Sequence, residues 1–257
     1  MDIGLSMLHC LGESFSNLCH RLQKVEVKYV ELVDDGWHRL NKARVKKLKE
    51  IGKSRSLIYT LHAPFANINI AAPAEDIRDF MLKRVEESII FSRLLDCSLM
   101  VFHPGWRTGI SAFYPGLDWK TNIDSVRKLL VISRNHGVEI AIENCPEPYG
   151  FLVKNVEQFS RFFDELGEDI GLVLDVGHSN INGETNEFIK TFSKRIVHVH
   201  AHDNDRKHDL HLGVGYGTID WQQFASNIKM IGFNEIVTVE SYHNIKESIE
   251  MLQKILT

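Results

Sequence analysis

Stretches that read as strands and stretches that read as helices alternate along this chain from end to end, eight of each, with no break in composition. That repetition is the pattern of βα units feeding a parallel sheet. The strand-like runs fall at residues 3–7, 25–33, 57–62, 99–103, 138–143, 170–176, 196–202 and 236–240. The helix-like runs fall at 14–22, 41–51, 74–95, 119–135, 156–166, 185–192, 221–231 and 245–255. Asp118 and Asp220 read as helix N-caps, and Gly137 and Gly232 as helix stops. Eight parallel units close most economically into a (β/α)8 barrel. At 257 residues and 44% hydrophobic content, the expectation is one such α/β barrel, a single domain over residues 1–257.

A net charge of -4 without acidic or basic blocks gives no pull of its own toward nucleic acid or membrane, and no apolar run approaches the length of a membrane span. Cys10, Cys19, Cys97 and Cys145 are scattered without a C-x-x-C pair, and the N-terminal residues carry no signal-peptide pattern, so a reducing cytoplasm is expected. No protein partner is implied.

In a (β/α)8 barrel the C-terminal ends of the strands meet at one mouth, where reactive groups sit. From the third strand on, nearly every strand here ends in a residue able to bind metal: His62, His103, Glu143, Asp175 with His178 just beyond, His200 and Glu240. The densest stretch is IVHVHAHDNDRKHDLHLGVGYGTIDW, residues 196–221. Its strand alternates in period two, so His198, His200 and His202 share one face while Val197, Val199 and Ala201 take the other. Asp209 and His211 follow, then Gly213, Gly215 and Gly217, which allow tight turning. Oxygen and nitrogen ligands at this density suggest a divalent metal of the zinc type. The plainer alternative, polar residues bonded to one another without metal, would leave convergent ionisable groups at high cost.

The motifs L-H-A-P-F (61–65), F-H-P-G (102–105), I-E-N-C-P (142–146), L-D-V-G-H (174–178), H-A-H-D-N-D-R (200–206), D-L-H-L-G (209–213) and V-E-S (239–241), in this order, resemble the endonuclease IV and xylose-isomerase-like TIM barrel superfamily, AP endonuclease family 2. In endonuclease IV a trinuclear zinc centre is held by nine residues. The resemblance implies His62 and His103 on one ion with Glu143 bridging, Asp175, His200 and Glu240 completing a second, and His178, Asp209 and His211 on a third. The isomerase and epimerase branches imply one ion (Mn2+, Co2+ or Fe2+ as alternatives to Zn2+) held by Glu143, Asp175, His200 and Glu240, with the two glutamates shuttling a proton and His178 and Arg206 holding a sugar. Phe65-Ala66 stands where the DNA enzyme has a larger aromatic and apolar wedge, and the L-D-V-G-H and I-E-N-C-P forms are closer to the sugar-isomerase-like members.

Because the chain retains more ligand-type residues than a one-ion isomerase requires, the leading expectation is phosphoester hydrolysis at a site of one to three Zn2+, with abasic-site DNA as substrate and Glu143 orienting or deprotonating water. The alternative is a sugar or sugar-phosphate isomerase or epimerase with Glu143 and Glu240 as the catalytic pair. Arg206, Trp106 and Phe65 are the expected substrate contacts. Trp106, Arg107 and Phe113 lie together in the loop after the fourth strand. His198 reads as a core histidine and His202 as a rim residue, neither a ligand, while His9, His20, His38, His136, His208 and His243 read as surface or loop. The basic run from Lys42 to Lys49 falls on an outer helix and reads as a solvated face. The three glycines after residue 211 follow a loop without opening a βαβ unit, which argues against a dinucleotide fingerprint.

Overall fold

Parallel strands β1 (Asp2–Ser6), β2 (Tyr29–Val33), β3 (Ile58–His62), β4 (Met100–Phe102), β5 (Ile140–Glu143), β6 (Gly171–Asp175), β7 (Ile196–Ala201) and β8 (Ile236–Val239) pair in chain order, and β8 returns to β1 to close a (β/α)8 barrel. The structure, a computed structural model, describes residues 1–256. Around the barrel lie α1 (Phe15–Leu22), α2 (Lys42–Arg55), α3 (Glu75–Leu95), α4 (Leu117–His136), α5 (Val156–Leu166), α6 (Val176–Asn182), α7 (Thr185–Thr191), α8 (Trp221–Met230) and α9 (Ile245–Leu256). Among the described residues no helix is long and apolar enough to cross a membrane, and all four cysteines are free thiols.

Strand alternation divides the molecule into two interiors. One face of each strand, with residues such as Leu32, Leu61, Phe102, Ile142, Leu174 and Val239, joins the large apolar core against the helices. The opposite face lines the lumen, where only Val101, Ala141 and Val173 gather as a small apolar cluster. Many other lumen positions carry buried polar side chains, among them Ser6, Glu31, Thr60, His198 and Thr238. Between β6 and β7 the register shifts: Leu172 pairs with Ile196 but Val173 pairs with His198, so Val197 is extra. Gly171 makes room for that bulge, since a Cβ there would sit 2.5 Å from a Val197 methyl. The shift keeps Ile196 on the outer face and starts the lumen row at His198.

Asp220 caps α8 by accepting from Gln223 N at 2.9 Å, and Gly137 ends α4 in the left-handed region (φ 65), both as the sequence suggests. Helix α4 begins two residues early, at Leu117 after Gly116, and Asp118 instead accepts from Trp119 N within the first turn. Helix α6 is an addition. It is too short to show helical periodicity and is nucleated by Asp175, whose carboxylate accepts from His178 N at 2.7 Å. His38, expected at the surface or in a loop, is fully buried: the 3-10 turn Gly36–His38, capped by Asp35, folds its ring inward.

Candidate metal centre

Glu143 ends β5, Asp175 ends β6, His200 is the penultimate residue of β7, and Glu240 immediately follows β8. Parallel register therefore brings one ligand atom from each to within 4.8 Å of the others. His200 Nδ1 lies 3.1 Å from Glu143 Oε1 and 3.5 Å from Glu240 Oε2. Asn144 locks the ends of β5 and β6 together: its Oδ1 accepts from Asp175 N at 2.7 Å and its Nδ2 donates to the Asp175 carbonyl at 3.1 Å. Ser6 Oγ donates to Glu240 Oε1 at 3.4 Å.

Three further groups adjoin this quartet, one of them Glu31, His198 and His200, which shares His200 with it. Glu143 Oε2 faces His62 Nε2 at 3.2 Å and His103 Nε2 at 3.1 Å. At the rim, His178, His202, Asp209 and His211 form a second four-residue group. His178 comes from the first turn of α6, while Asp209 and His211 come from the loop after β7. Asp203 folds that loop back, accepting from Asn204 N, Gly215 N, Ile219 N and Trp221 Nε1. His202, expected at the rim, is fully buried. Its ring stacks on His211 at 3.9 Å, with Nε2 3.1 Å from Asp175 Oδ1 and 3.6 Å from Asp209 Oδ1. The returning loop covers it, and Gly177 leaves room for it, since a Cβ there would meet the ring at 2.0 Å.

The ring orientations test whether metal ions fit. His62, His178 and His211 each aim Nδ1 at a backbone carbonyl, of Ala63, Asn144 and Glu240, at 2.7, 2.7 and 2.8 Å. A carbonyl only accepts, so each Nδ1 carries hydrogen and each Nε2 lone pair is turned toward a carboxylate. Acceptor facing acceptor is stable only with a cation or a second proton between them. Asp175 Oδ2 and Asp209 Oδ1 are buried without a hydrogen-bond partner. An outer nitrogen fixed by a hydrogen bond and an inner one turned to a shared centre is the arrangement of metal-binding histidines. The residues fit divalent ions.

The electrostatics differ between the two glutamates. Burial would raise the Glu143 carboxyl, but the imidazoles of His200 and His103 outweigh it and hold the group well below the usual carboxylate range. Glu240 moves the other way, pushed up by burial and by Glu143 and Glu31 despite His200 and His211.

Over the quartet opens a cavity of about 290 Å3, walled by Leu8, Val33, Phe65, Pro146, Tyr149, Phe151 and Tyr242 together with site residues; no lysine or arginine lines it. Phe65 takes the expected place, its ring 5.5 Å from His62 and 5.8 Å from His103. Trp106 stands one row back, edge-on to Phe151, which itself packs on His103. Arg206 is not brought to the cavity: a left-handed turn (φ 65) directs it over Gly183 into a separate polar groove. Phe113 is 80% exposed and outside the cavity wall. Glu31 was not foreseen. It sits in mid-strand, below the ends that sequence reasoning inspected, with Oε2 3.1 Å from His200 Nε2. A lone acid inside the apolar run Y-V-E-L-V was the available signal.

Fold and site together define a (β/α)8 barrel with residue groups at its C-terminal mouth able to hold metal ions. Residues 19–255 match the xylose isomerase-like TIM barrel family, and the chain belongs to it. It is 32% identical to the uncharacterized protein MJ1614 of Methanocaldococcus jannaschii, over 100% of both chains. A solved D-tagatose 3-epimerase-like protein superposes with a TM-score of 0.94 at 27% identity, covering 100% of this chain and 97% of that one. D-psicose 3-epimerase of Ruminiclostridium cellulolyticum is 23% identical over 77% of this chain and 68% of its own length. A probable endonuclease 4 of Aquifex aeolicus is 26% identical over 73% of this chain and 70% of its own.

Proposed function

We propose that this protein is a divalent-metal-dependent epimerase or isomerase of a small unphosphorylated sugar, with the ion held by Glu143, Asp175, His200 and Glu240. The observation that carries the reading is a pair of glutamates on either side of His200 at the floor of a sugar-sized cavity without a cationic side chain. A DNA backbone or a sugar phosphate calls for lysine or arginine. The one arginine expected to bind substrate, Arg206, faces another groove. Similarity to sugar epimerases supports the same choice, so phosphoester hydrolysis, the leading expectation from sequence, gives way to the alternative.

When bound, the ion would stabilise negative charge collecting on the sugar's carbonyl oxygen. Glu143, held ionised, removes the proton from the carbon beside the carbonyl, and Glu240, whose affinity for a proton is raised, delivers one. Delivery to the opposite face of the same carbon inverts it; delivery to the former carbonyl carbon, with the neighbouring hydroxyl proton passing to the former carbonyl oxygen, isomerises the sugar. Phe65, Phe151, Tyr149 and Tyr242 wall the sugar and exclude water.

Incubation of metal-loaded protein with a panel of free ketoses in D2O tests this. Deuterium should enter at the carbon next to the carbonyl, with a new epimer appearing. No exchange on any ketose, together with nicking of duplex DNA at an abasic site, would return the site to hydrolysis.

A further inference from the structure

Three of the site histidines have their outer nitrogen held by a backbone carbonyl, but His200 does not. It is turned the other way, with Nδ1 toward the quartet and Nε2 3.1 Å from Glu31 Oε2. Glu31 is completely buried at the centre of β2, in register with Ser6 and Thr60. Thr60 Oγ1 donates to the same oxygen at 3.3 Å, and His198 Nε2 stands 3.7 Å away. Among the described residues no lysine or arginine pairs with Glu31; the groups that face its carboxylate are the imidazoles of His200 and His198 and the Thr60 hydroxyl. Packing does not demand an acid inside the lumen, because apolar side chains, Val101, Ala141 and Val173, fill part of it.

We propose that Glu31 is a positioning residue that sets the affinity of the quartet for its ion. Its carboxylate accepts the Nε2 proton of His200, which fixes one tautomer and would leave the Nδ1 lone pair for a bound ion. An ionised acceptor binds that proton more strongly than a carbonyl does and makes the opposite nitrogen a better donor to the ion. His200 is thus the one ligand among these four histidines tuned by a charge. This role rests on the quartet holding a divalent ion, but not on the identity of the sugar.

The test is binding of Mn2+, and separately of Zn2+, to wild type, Glu31→Gln and Glu31→Leu, by competition with a chelator, with the number of ions counted by elemental analysis. Glu31→Leu should weaken binding about 10–100-fold at unchanged stoichiometry. Glu31→Gln, whose amide oxygen still accepts from Nε2, should recover part of the loss. Glu31→Gln, which keeps an acceptor for the His200 Nε2 proton, should melt close to wild type in the metal-free state while still binding the ion more weakly than wild type; a merely structural role would leave the affinity of Glu31→Gln unchanged. In Zn2+-loaded wild type with 15N-labelled histidine, His200 should carry hydrogen on Nε2 and bind through Nδ1. Unchanged affinity in Glu31→Leu, loss of a whole ion with the remainder bound as before, or binding of His200 through Nε2 would each overturn the proposal. Wild-type protein that takes up no divalent ion would instead sink the quartet itself, and an inactive but metal-loaded wild type would sink only the sugar reading.

Discussion

The two four-residue groups at the mouth of this barrel are built by different means. Glu143, Asp175, His200 and Glu240 stand at strand ends, and the closed parallel ladder fixes their separations as firmly as it fixes the barrel. His178, Asp209 and His211 stand on a short helix and a loop, and only His202 in the rim group continues a strand direction. Their positions depend on the four bonds to Asp203, the His202–His211–Tyr242 stack and the space left by Gly177. Side chains set by register are held independently of one another. Side chains set by a loop stand or fall together, so damage at the rim should spread within the rim and stop at the lumen.

The largest effect should come from Glu143, which belongs both to the quartet and to the group with His62 and His103. Glu143→Gln should lower turnover about 10³-fold, within the range of a lost general base, and should lower the melting temperature of the metal-free protein because the imidazoles of His62, His103 and His200 lose their shared countercharge; an epimerisation assay beside thermal melts checks both. Glu143→Gln that retains more than a tenth of wild-type turnover would remove it from the chemistry.

Gly177→Ala separates the groups from the other side. The added methyl meets a ring pinned by stacking, so a stability loss of about 1–3 kcal/mol is expected in urea unfolding, with the quartet's affinity for its ion nearly unchanged. An equal loss of affinity at the quartet would show that rim and lumen are one unit.

The smallest and most gradual effect is that of pH. In metal-free protein burial works against a charged imidazole, but Glu143 raises His62 to about 9, Asp209 raises His211 to about 9, and Asp175 with Asp209 raises His178 to about 10. A raised imidazole contributes stability that is complete below its unfolded value near 6.5 and is lost as pH climbs through its folded value. The metal-free melting temperature should therefore fall between about pH 7 and pH 10. Metal affinity should rise over the same interval as fewer protons need displacing, with proton release visible by calorimetry in buffers of different ionisation enthalpy. A flat metal-free profile would mean that those imidazoles are neutral.

The ladder-built half of the site was the more legible in sequence. Strand-end positions follow from a repeating period, so His62, His103, Glu143, Asp175, His200 and Glu240 could be placed at a common mouth from spacing, and the structure brings them together. The loop-built half was less legible. His202 looked like a rim residue because nothing local shows that Asp203 will turn the chain back over it, and Arg206 looked available because its left-handed turn is invisible in the residue order. Glu31 escaped for a different reason: attention to strand termini overlooks a residue whose partner, His200, is 169 positions away. Helix α6 escaped because seven residues show no periodicity.

The alternation of each strand assigns cohesion and chemistry to opposite sides of the same backbone. Most of the apolar side chains that pack the barrel against its helices lie on the face opposite the candidate site. A lineage carrying this scaffold could exchange lumen side chains one at a time while the apolar annulus kept each intermediate sequence folded.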